Sequence, residues 1–168
     1  MNDPVRDGDS IHLPVDPDSD VDLPRARGAV AVHLRASSLA LVFVGGTFGT
    51  AAREALSLGF PSIGGIPYAI FGINVAGAFL LGVLLEALAR RGADHGRRRH
   101  LRLLLGTGVM GGFTTYSALA VDTAALLGTG AAGSGIAYAI GTVLVGAAAT
   151  WAGIALGAAT HRPARKGG

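Results

Sequence analysis

The chain has 168 residues, of which 50% are hydrophobic and only 15% are charged, with a formal net charge of +3. Soluble proteins carry about 25% charged residues, so this composition excludes an ordinary water-soluble domain and indicates a membrane protein. The absence of cysteine excludes disulfides, cysteine nucleophiles and cysteine-ligated metal sites. The 27 glycines do not recur at every third position and lie among apolar residues, which excludes collagen and flexible linkers.

Residues 1–38 differ in composition from the rest of the chain. They contain seven aspartates and four prolines and no continuous apolar run. Such a segment cannot bury enough apolar surface to offset the entropy cost of ordering, so we predict a disordered acidic N-terminal leader. It also lacks the basic start and apolar stretch of a secretory signal peptide, so we expect it to stay attached, either as a solvated leader or as an interaction segment.

Four apolar segments follow the leader, at residues 39–58, 66–89, 103–127 and 136–160. Each is close to the roughly 20 residues that a helix needs to cross about 30 Å of hydrocarbon. We therefore predict an all-α membrane protein in which residues 39–160 form a transmembrane domain of four helices. Residues 161–168 form a short basic tail.

The 14 Lys and Arg residues are distributed very unevenly. Four lie in the leader, six in the loop at residues 90–102 and three in the tail, which leaves only Arg53 on the other side of the membrane. Because basic residues accumulate in cytoplasmic segments, we predict that both termini and the basic loop are cytoplasmic, in a multi-pass protein of the cell membrane. A basic cluster is also typical of nucleic-acid binding, but its position between two spans favours topology, and we expect no nucleic acid partner.

Several glycines in the predicted spans are spaced four residues apart and so share one helix face. The pairs are Gly45 and Gly49, Gly108 and Gly112, and Gly153 and Gly157. Lipid gives no hydrophobic drive for helix association, so helices in a membrane pack through small residues that let their backbones approach closely. We interpret most of these glycines as helix-packing positions.

A denser cluster lies in the third predicted span, where four glycines at 106, 108, 111 and 112 precede Thr114 and Thr115. Glycine costs about 1 kcal/mol relative to alanine inside a helix, so we predict that the third helix is broken in mid-membrane. Unwound backbone at this depth must be buried or line a cavity, and its free carbonyl oxygens suit a hard cation such as sodium. These residues are compatible with an ion site and also with a flexible, glycine-packed helix.

Asn74 is a polar residue inside the second predicted span. An amide in lipid must find hydrogen-bond partners, so we expect Asn74 either to tie helices together or to face a polar path. No carboxylate lies near the centre of a predicted span, which argues against a proton-coupled antiporter. The five histidines lie outside the predicted spans and no hydrolase, zinc-protease or nucleotide-binding motif is present, so we expect no catalysis.

Three motifs, in this order, resemble the Fluc/CrcB family of fluoride channels. Residues 45–53 read GGTFGTAAR, residues 74–82 read NVAGAFLLG and residues 108–117 read GVMGGFTTYS. They are similar to the family's Gly-Gly-x-x-Gly-x-x-x-Arg, Asn-x-x-Gly-x-Phe-x-x-Gly and Gly-x-x-Gly-Gly-x-Thr-Thr-Phe-Ser signatures in spans one, two and three. The likeness covers residues 39–158.

The resemblance implies a passive fluoride channel that is built as an antiparallel dimer, with two pores and a central structural sodium ion. By position, backbone carbonyls of Gly111 and Thr114 in each subunit would hold the sodium. The fluoride path would contain Asn74, Thr115, Tyr116 and Ser117. The helix-packing glycines would be Gly45, Gly49, Gly77, Gly82, Gly108 and Gly112.

One position departs clearly from the family pattern. The family carries two phenylalanines whose ring edges can face an anion, and here these positions are Tyr116 and Leu119. Tyr116 keeps an aromatic edge and Leu119 does not, so one of this subunit's two aromatic anion sites is not assured. Thr142 and Thr150 offer hydroxyls in the fourth span without a matched family position, and we expect Arg53 to snorkel rather than line a pore mouth.

The charge distribution also bears on assembly. An antiparallel homodimer needs near-equal basic charge on both sides of the chain, whereas thirteen of the fourteen basic residues here lie on one side. We therefore expect the second subunit to be a homologue of opposite orientation, with a homodimer as the alternative. The predicted function is passive efflux of cytoplasmic fluoride, and so fluoride resistance. The alternatives are a non-conducting scaffold or regulatory subunit of such a channel, and a small drug exporter, which would need a carboxylate in the middle of span one.

Overall fold

The computed structural model describes residues 35–160, and in this part of the chain the protein is helical apart from its connecting turns. Its elements are α1 (Ala36–Gly59), α2 (Tyr68–Ala89), α3 (Arg97–Leu101), a π-helical segment (Arg102–Met110), α4 (Gly111–Phe113), α5 (Tyr116–Gly128) and α6 (Ala132–Ala159). The predicted all-α fold is confirmed. The predictions for the leader up to residue 34 and for the tail at residues 161–168 lie outside the described residues.

Four helical stretches are long and apolar enough to cross a membrane, as predicted. The third of them, Arg97–Gly128, has 32 residues and contains a break. We call residues 97–113 its first arm, and α5 is its second arm. α1 begins at Ala36, so the last three residues of the predicted leader belong to a helix.

The third span begins at Arg97, six residues before the predicted boundary. Its start is fixed by Asp94, whose carboxylate accepts from Arg102 at 2.7 Å and lies 3.8 Å from the Arg99 guanidinium. These ion pairs tie the preceding turn to the first turns of the helix. The helix therefore begins before the apolar segment at residues 103–127 from which the span was predicted.

α6 begins at Ala132, four residues before the predicted start of the fourth span at residue 136. Gly135 explains this extension, because a Cβ there would lie 3.2 Å from the Leu126 side chain of α5. Close packing of the first turns of α6 on α5 compensates for the low helix propensity of glycine.

The helices form two close pairs. α1 packs along the first arm of the third span, and α2 packs along α6. The second arm, α5, packs against α6. Because of the break, the third span contributes one arm to each pair and so connects them.

Glycines line the contact between α1 and the first arm from both sides. A Cβ added at Gly45 or Gly49 would come within 3.0 Å of a backbone carbonyl oxygen of the first arm. A Cβ added at Gly108 or Gly112 would also come within 3.0 Å of the backbone of α1. The two helices therefore touch backbone to backbone.

The contact between α2 and α6 has the same character. A Cβ at Gly82 would come within 3.0 Å of the Thr150 carbonyl oxygen, and one at Gly153 would come within 3.0 Å of the Phe79 carbonyl oxygen. Gly157 lies at the same interface, where a Cβ would be 3.0 Å from α2 atoms. Small residues thus supply the close packing that lipid does not drive.

Candidate ion site at the helix break

The third span is interrupted near its middle by two threonines with extended backbone. Thr114 has φ −77° and ψ 154°, and Thr115 has φ −150° and ψ 117°. The predicted break is therefore present, but it lies at the threonines, whereas the glycines before them are helical up to Phe113. The β-branched threonine side chain tolerates extended backbone well, and Gly112 is required for close contact with α1.

Asn74 on α2 binds this break with both ends of its amide. Its Oδ1 accepts a hydrogen bond from the Thr115 N–H at 2.8 Å, and its Nδ2 donates to the Thr115 carbonyl oxygen at 3.1 Å. Backbone groups that leave a helix at membrane depth must find such partners inside the protein. Asn74 therefore ties α2 to the third span, which is one of the two roles expected for it.

This tie changes the hydrogen bonding of the first arm. In a continuous helix each N–H bonds to the carbonyl four residues earlier, so Thr115 would pair with Gly111. By the same rule the N–H of Ala118 would pair with the carbonyl of Thr114. Instead the Thr115 N–H donates to Asn74, and the Ala118 N–H donates to the Thr115 Oγ1 at 3.1 Å. The carbonyl oxygens of Gly111 and Thr114 thus lose the donors that a helix would give them.

The two residues with displaced donors lie in different surroundings. Gly111 is exposed, and a Cβ there would meet no atom within 4 Å. Thr114 is half-buried, with its hydroxyl donating to the Met110 carbonyl at 2.8 Å. Its methyl group packs against Gly77 so closely that a Cβ on that glycine would overlap it. α2 therefore positions the break through a small residue as well as through Asn74.

Residues 102–110, just before the break, form a π-helix of nine residues. Such wide helical turns are rare and occur often at functional sites. The predicted glycine cluster overlaps this segment at Gly106 and Gly108, both of which are buried. The sequence does not predict the π-helix, because the side-chain spacing of a π-helix has no strong hydrophobic signature.

The second arm begins with the residues that the family resemblance places on the fluoride path. The Tyr116 side chain is 82% exposed, and Ser117 is also exposed. The Ser117 hydroxyl lies 3.1 Å from the Thr115 hydroxyl. Leu119 is only 7% exposed and packs in a small core with Leu126 and Tyr138. The two positions that correspond to the family's phenylalanines thus face in different directions.

Sequence reasoning missed a polar group that lies between α5 and α6. The Tyr138 hydroxyl lies 3.5 Å from the Asp122 carboxylate and donates to it, and Tyr138 also packs beside Leu119. Thr142, one turn further along α6, is buried, with its hydroxyl donating to the Tyr138 carbonyl at 2.7 Å. The spacing of four residues between Tyr138 and Thr142 was the available signal. Thr150, the other hydroxyl considered, donates to the carbonyl of its own helix.

Arg53 lies on α1 and is 22% exposed at its side chain. Its guanidinium is 3.5 Å from the carboxylate of Glu54, the next residue. One turn later, the Ser57 hydroxyl is buried and has no hydrogen-bond partner among the described residues. Arg53 lies one turn after Gly49 and Thr50, the α1 residues that contact Phe113 and Gly112 just before the break.

Four spanning helices, two glycine-lined contacts and a mid-span break held by a half-buried amide define a small polytopic membrane protein. Residues 40–154 match the family described as CrcB-like protein, Camphor Resistance (CrcB), and the chain belongs to this family. The predicted family membership is confirmed. The family is not known to be enzymatic, and the curated relatives of the chain are named as ion channels.

Three relatives illustrate the similarity. The chain is 59% identical over 133 residues to "Fluoride-specific ion channel FluC 2" of Leifsonia xyli, covering 79% of this chain and 92% of the relative. It is 46% identical over 116 residues to "Fluoride-specific ion channel FluC 1" of Cutibacterium acnes, covering 68% and 81%. It is 40% identical over 118 residues to "Fluoride-specific ion channel FluC 1" of Streptomyces coelicolor, covering 70% and 75%.

Proposed function

We propose that this chain is a subunit of a fluoride-specific ion channel that lets cytoplasmic fluoride leave the cell passively. The observation that carries the proposal is the break in the third span. It presents a carbonyl end and an amide end of a helix at membrane depth, in a member of a family whose relatives are named fluoride-specific ion channels. Polar backbone at this depth is tolerated only in contact with protein or in a polar cavity.

The carbonyl end of the break suits a sodium ion. Gly111 and Thr114 have carbonyl oxygens whose helical donors are displaced, and they lie at the C-terminal, negative end of the first arm. Hard cations take several oxygen ligands, and two carbonyls from one chain do not complete such a shell. A second subunit would supply the remaining oxygens, so the ion would act as a structural tie between subunits.

The amide end of the break suits the anion. α5 begins at Tyr116, so the N–H groups of Tyr116 and Ser117 lie in a first turn that lacks intrahelical acceptors, at the positive end of the helix dipole. Asn74 has two amide protons and donates one of them to Thr115, which leaves the other for an ion. These donors would replace part of the hydration shell that fluoride loses.

Aromatic contact with fluoride from this chain would come from Tyr116, whose side chain is exposed. Leu119 is buried, so its side chain offers neither an aromatic edge nor an exposed face. Tyr138 packs beside Leu119, is equally buried and directs its hydroxyl at Asp122, so it offers no exposed ring edge either. We therefore expect phenylalanines of the partner to complete at least one pore.

The partner subunit is a homologue inserted in the opposite orientation. Thirteen of the fourteen basic residues lie in the leader, the 90–102 loop and the tail, which supports a cytoplasmic location for both termini and an insertion biased to one direction. Gly111 is exposed and its carbonyl has lost its helical donor, so this backbone needs a partner within the membrane. The numbered names FluC 1 and FluC 2 of the relatives fit a chain that works beside a paralogue.

A fluoride efflux assay tests the function and the pairing together. Purified chain is reconstituted in liposomes loaded with fluoride, alone and after co-expression with a homologue of inverted charge distribution. We expect rapid fluoride efflux, and little chloride efflux, only from the co-expressed pair. Equal efflux from the chain alone would show a homodimer, and no efflux in either case would contradict a channel.

The second candidate is a non-conducting scaffold subunit, which the burial of Leu119 favours. In that case this chain would complete the assembly without lining a pore. Asn74→Asp and Tyr116→Leu, made in this chain alone, separate the two functions in the assembled pair. A pore-lining subunit loses flux in both variants, whereas a scaffold keeps it.

A further inference from the structure

The basic loop at residues 90–102 forms a cavity that no part of the ion path uses. The cavity has a volume of about 300 Å³ and lies where α2 ends and the third span begins. Its floor is apolar, formed by Leu85, Leu88 and Ala89 of α2. Its wall is polar, formed by side chains of the loop and of the following helix, namely Asp94, Arg98 and Arg102.

The charges around this cavity are only partly balanced. Asp94 is the single acidic residue among six arginines between residues 90 and 102, and it pairs with Arg102 and Arg99. Arg90 pairs with Glu86 of its own helix. The cavity therefore has an excess of positive charge above an apolar floor.

Arg98 is the arginine of the cavity wall that this carboxylate does not neutralise. Its guanidinium donates to the Ala93 carbonyl at 3.1 Å, and within residues 35–160 no carboxylate lies within ion-pair distance of it. It lies over Gly92, whose φ of +113° and missing side chain leave room for it. The loop thus holds Arg98 in place, and most of the five donors of its planar guanidinium have no partner in the part of the chain that the structure describes.

We propose that this cavity binds an anionic phospholipid, with the headgroup phosphate on Arg98 and an acyl chain along Leu85 and Leu88. Arginine binds phosphate oxygens through paired, charge-assisted hydrogen bonds, which accounts for the headgroup. The apolar floor at the end of a spanning helix favours a lipid over a free phosphate ion, because only the lipid buries that surface. The excess positive charge favours an anionic over a zwitterionic lipid.

The binding test uses the whole chain in an uncharged detergent, with short-chain phosphatidylglycerol, phosphatidylcholine and inorganic phosphate as probes. Native mass spectrometry counts the bound molecules as each probe is titrated. We expect phosphatidylglycerol to bind about tenfold more tightly than either of the other probes, as one charge-assisted hydrogen-bond pair implies. Equal binding of phosphatidylcholine, or equal binding of inorganic phosphate, would overturn the proposal.

Two variants and one control locate the site. Arg98→Gln should weaken phosphatidylglycerol binding about tenfold, and Leu85→Gln should weaken the lipid while leaving inorganic phosphate unchanged. Arg91→Gln is the matched control, because Arg91 is exposed, belongs to the same loop and does not line the cavity. An equal loss in the Arg98 and Arg91 variants would show diffuse charge attraction and would refute a site.

Discussion

The two sides of the helix break show opposite chemistry although they are separated by only two threonines. On the first side, α4 ends at Phe113, and the carbonyls of Gly111 and of the following Thr114 are deprived of their helical donors. On the other side, α5 begins with a capped first turn, because the Thr115 hydroxyl accepts from the Ala118 N–H. The carbonyl side is therefore electron-rich and open, whereas the amide side is positive and partly satisfied.

This difference explains how one interruption could serve a cation and an anion at once. A break in a helix creates surplus donors and surplus acceptors in equal measure. Asn74 removes one donor and one acceptor of Thr115 from that balance, the Thr115 hydroxyl removes another donor, and the Thr50 hydroxyl, which donates to the Gly112 carbonyl at 3.4 Å, removes another acceptor. What remains at the end of the first arm is mainly acceptors, which suit a cation, while the dipole of α5 still attracts an anion.

Removing the Asn74 amide should have the largest effect, because it affects both sides of the break. Asn74→Ala deletes two hydrogen bonds and leaves two partly buried backbone groups of Thr115 unpaired, a cost on the order of 3 kcal/mol. We expect a large drop in thermal stability in detergent and the loss of fluoride efflux from the assembled pair. Asn74→Asp keeps an acceptor for the Thr115 N–H, so it should retain more stability while losing efflux. An alanine variant as stable as the original chain would contradict the clamp.

The second prediction concerns the contact that holds the carbonyl side against α1. Gly49→Ala places a methyl group within 3.0 Å of the Val109 backbone. The clash can be relieved only if α1 and the first arm of the third span move apart. We expect a loss of about 1–3 kcal/mol in the free energy of unfolding, which is typical of overpacking. Gly46→Ala is the matched control, because its Cβ would lie 4.0 Å from the nearest atom, the Gly108 carbonyl oxygen. A Gly49→Ala variant as stable as the original chain would show that α1 and the first arm are not closely packed at this position.

Hydropathy and glycine spacing predicted most of this fold, because the lipid bilayer imposes both patterns on a membrane protein. Apolar length alone indicates the four spans, and helices in lipid need small residues at their contacts. The region of the break was also predictable, since Gly108, Gly111 and Gly112 weaken the helix there. Its position at Thr114 and Thr115 was not, because a side chain 41 residues away decides it.

The remaining differences have the same origin. The π-helix at residues 102–110 and the burial of Leu119 depend on which neighbour each helix meets, and a single sequence carries no pattern for that. The same holds for Tyr138, whose position in the sequence does not show which residue its hydroxyl meets. Its contact with Asp122 became visible only when α5 and α6 were placed side by side.

A smaller effect is expected from removing the cap of the amide side. Thr115→Val keeps the shape of the side chain but deletes the hydroxyl that accepts from the Ala118 N–H, at a cost of about 1 kcal/mol. Thr123→Val is the control, because its hydroxyl bonds only to the Leu119 carbonyl of its own helix. We expect the control to change the unfolding free energy by less than about 0.5 kcal/mol. Equal losses in both variants would assign no capping role to Thr115.

The smallest effect on the isolated chain, and the most selective one, is expected at Gly111. A Cβ there meets no atom within 4 Å, so Gly111→Ala should leave the stability of the single chain unchanged or raise it by up to about 1 kcal/mol through helix propensity. If the carbonyl side faces a second subunit across an ion, the same methyl group must weaken the pair. Sedimentation in detergent, with and without sodium, measures this, and Gly133→Ala is the control because its Cβ is equally free and lies in the first turn of α6. An unchanged pairing equilibrium in the Gly111 variant would place the partner elsewhere and leave the open carbonyls without their proposed role.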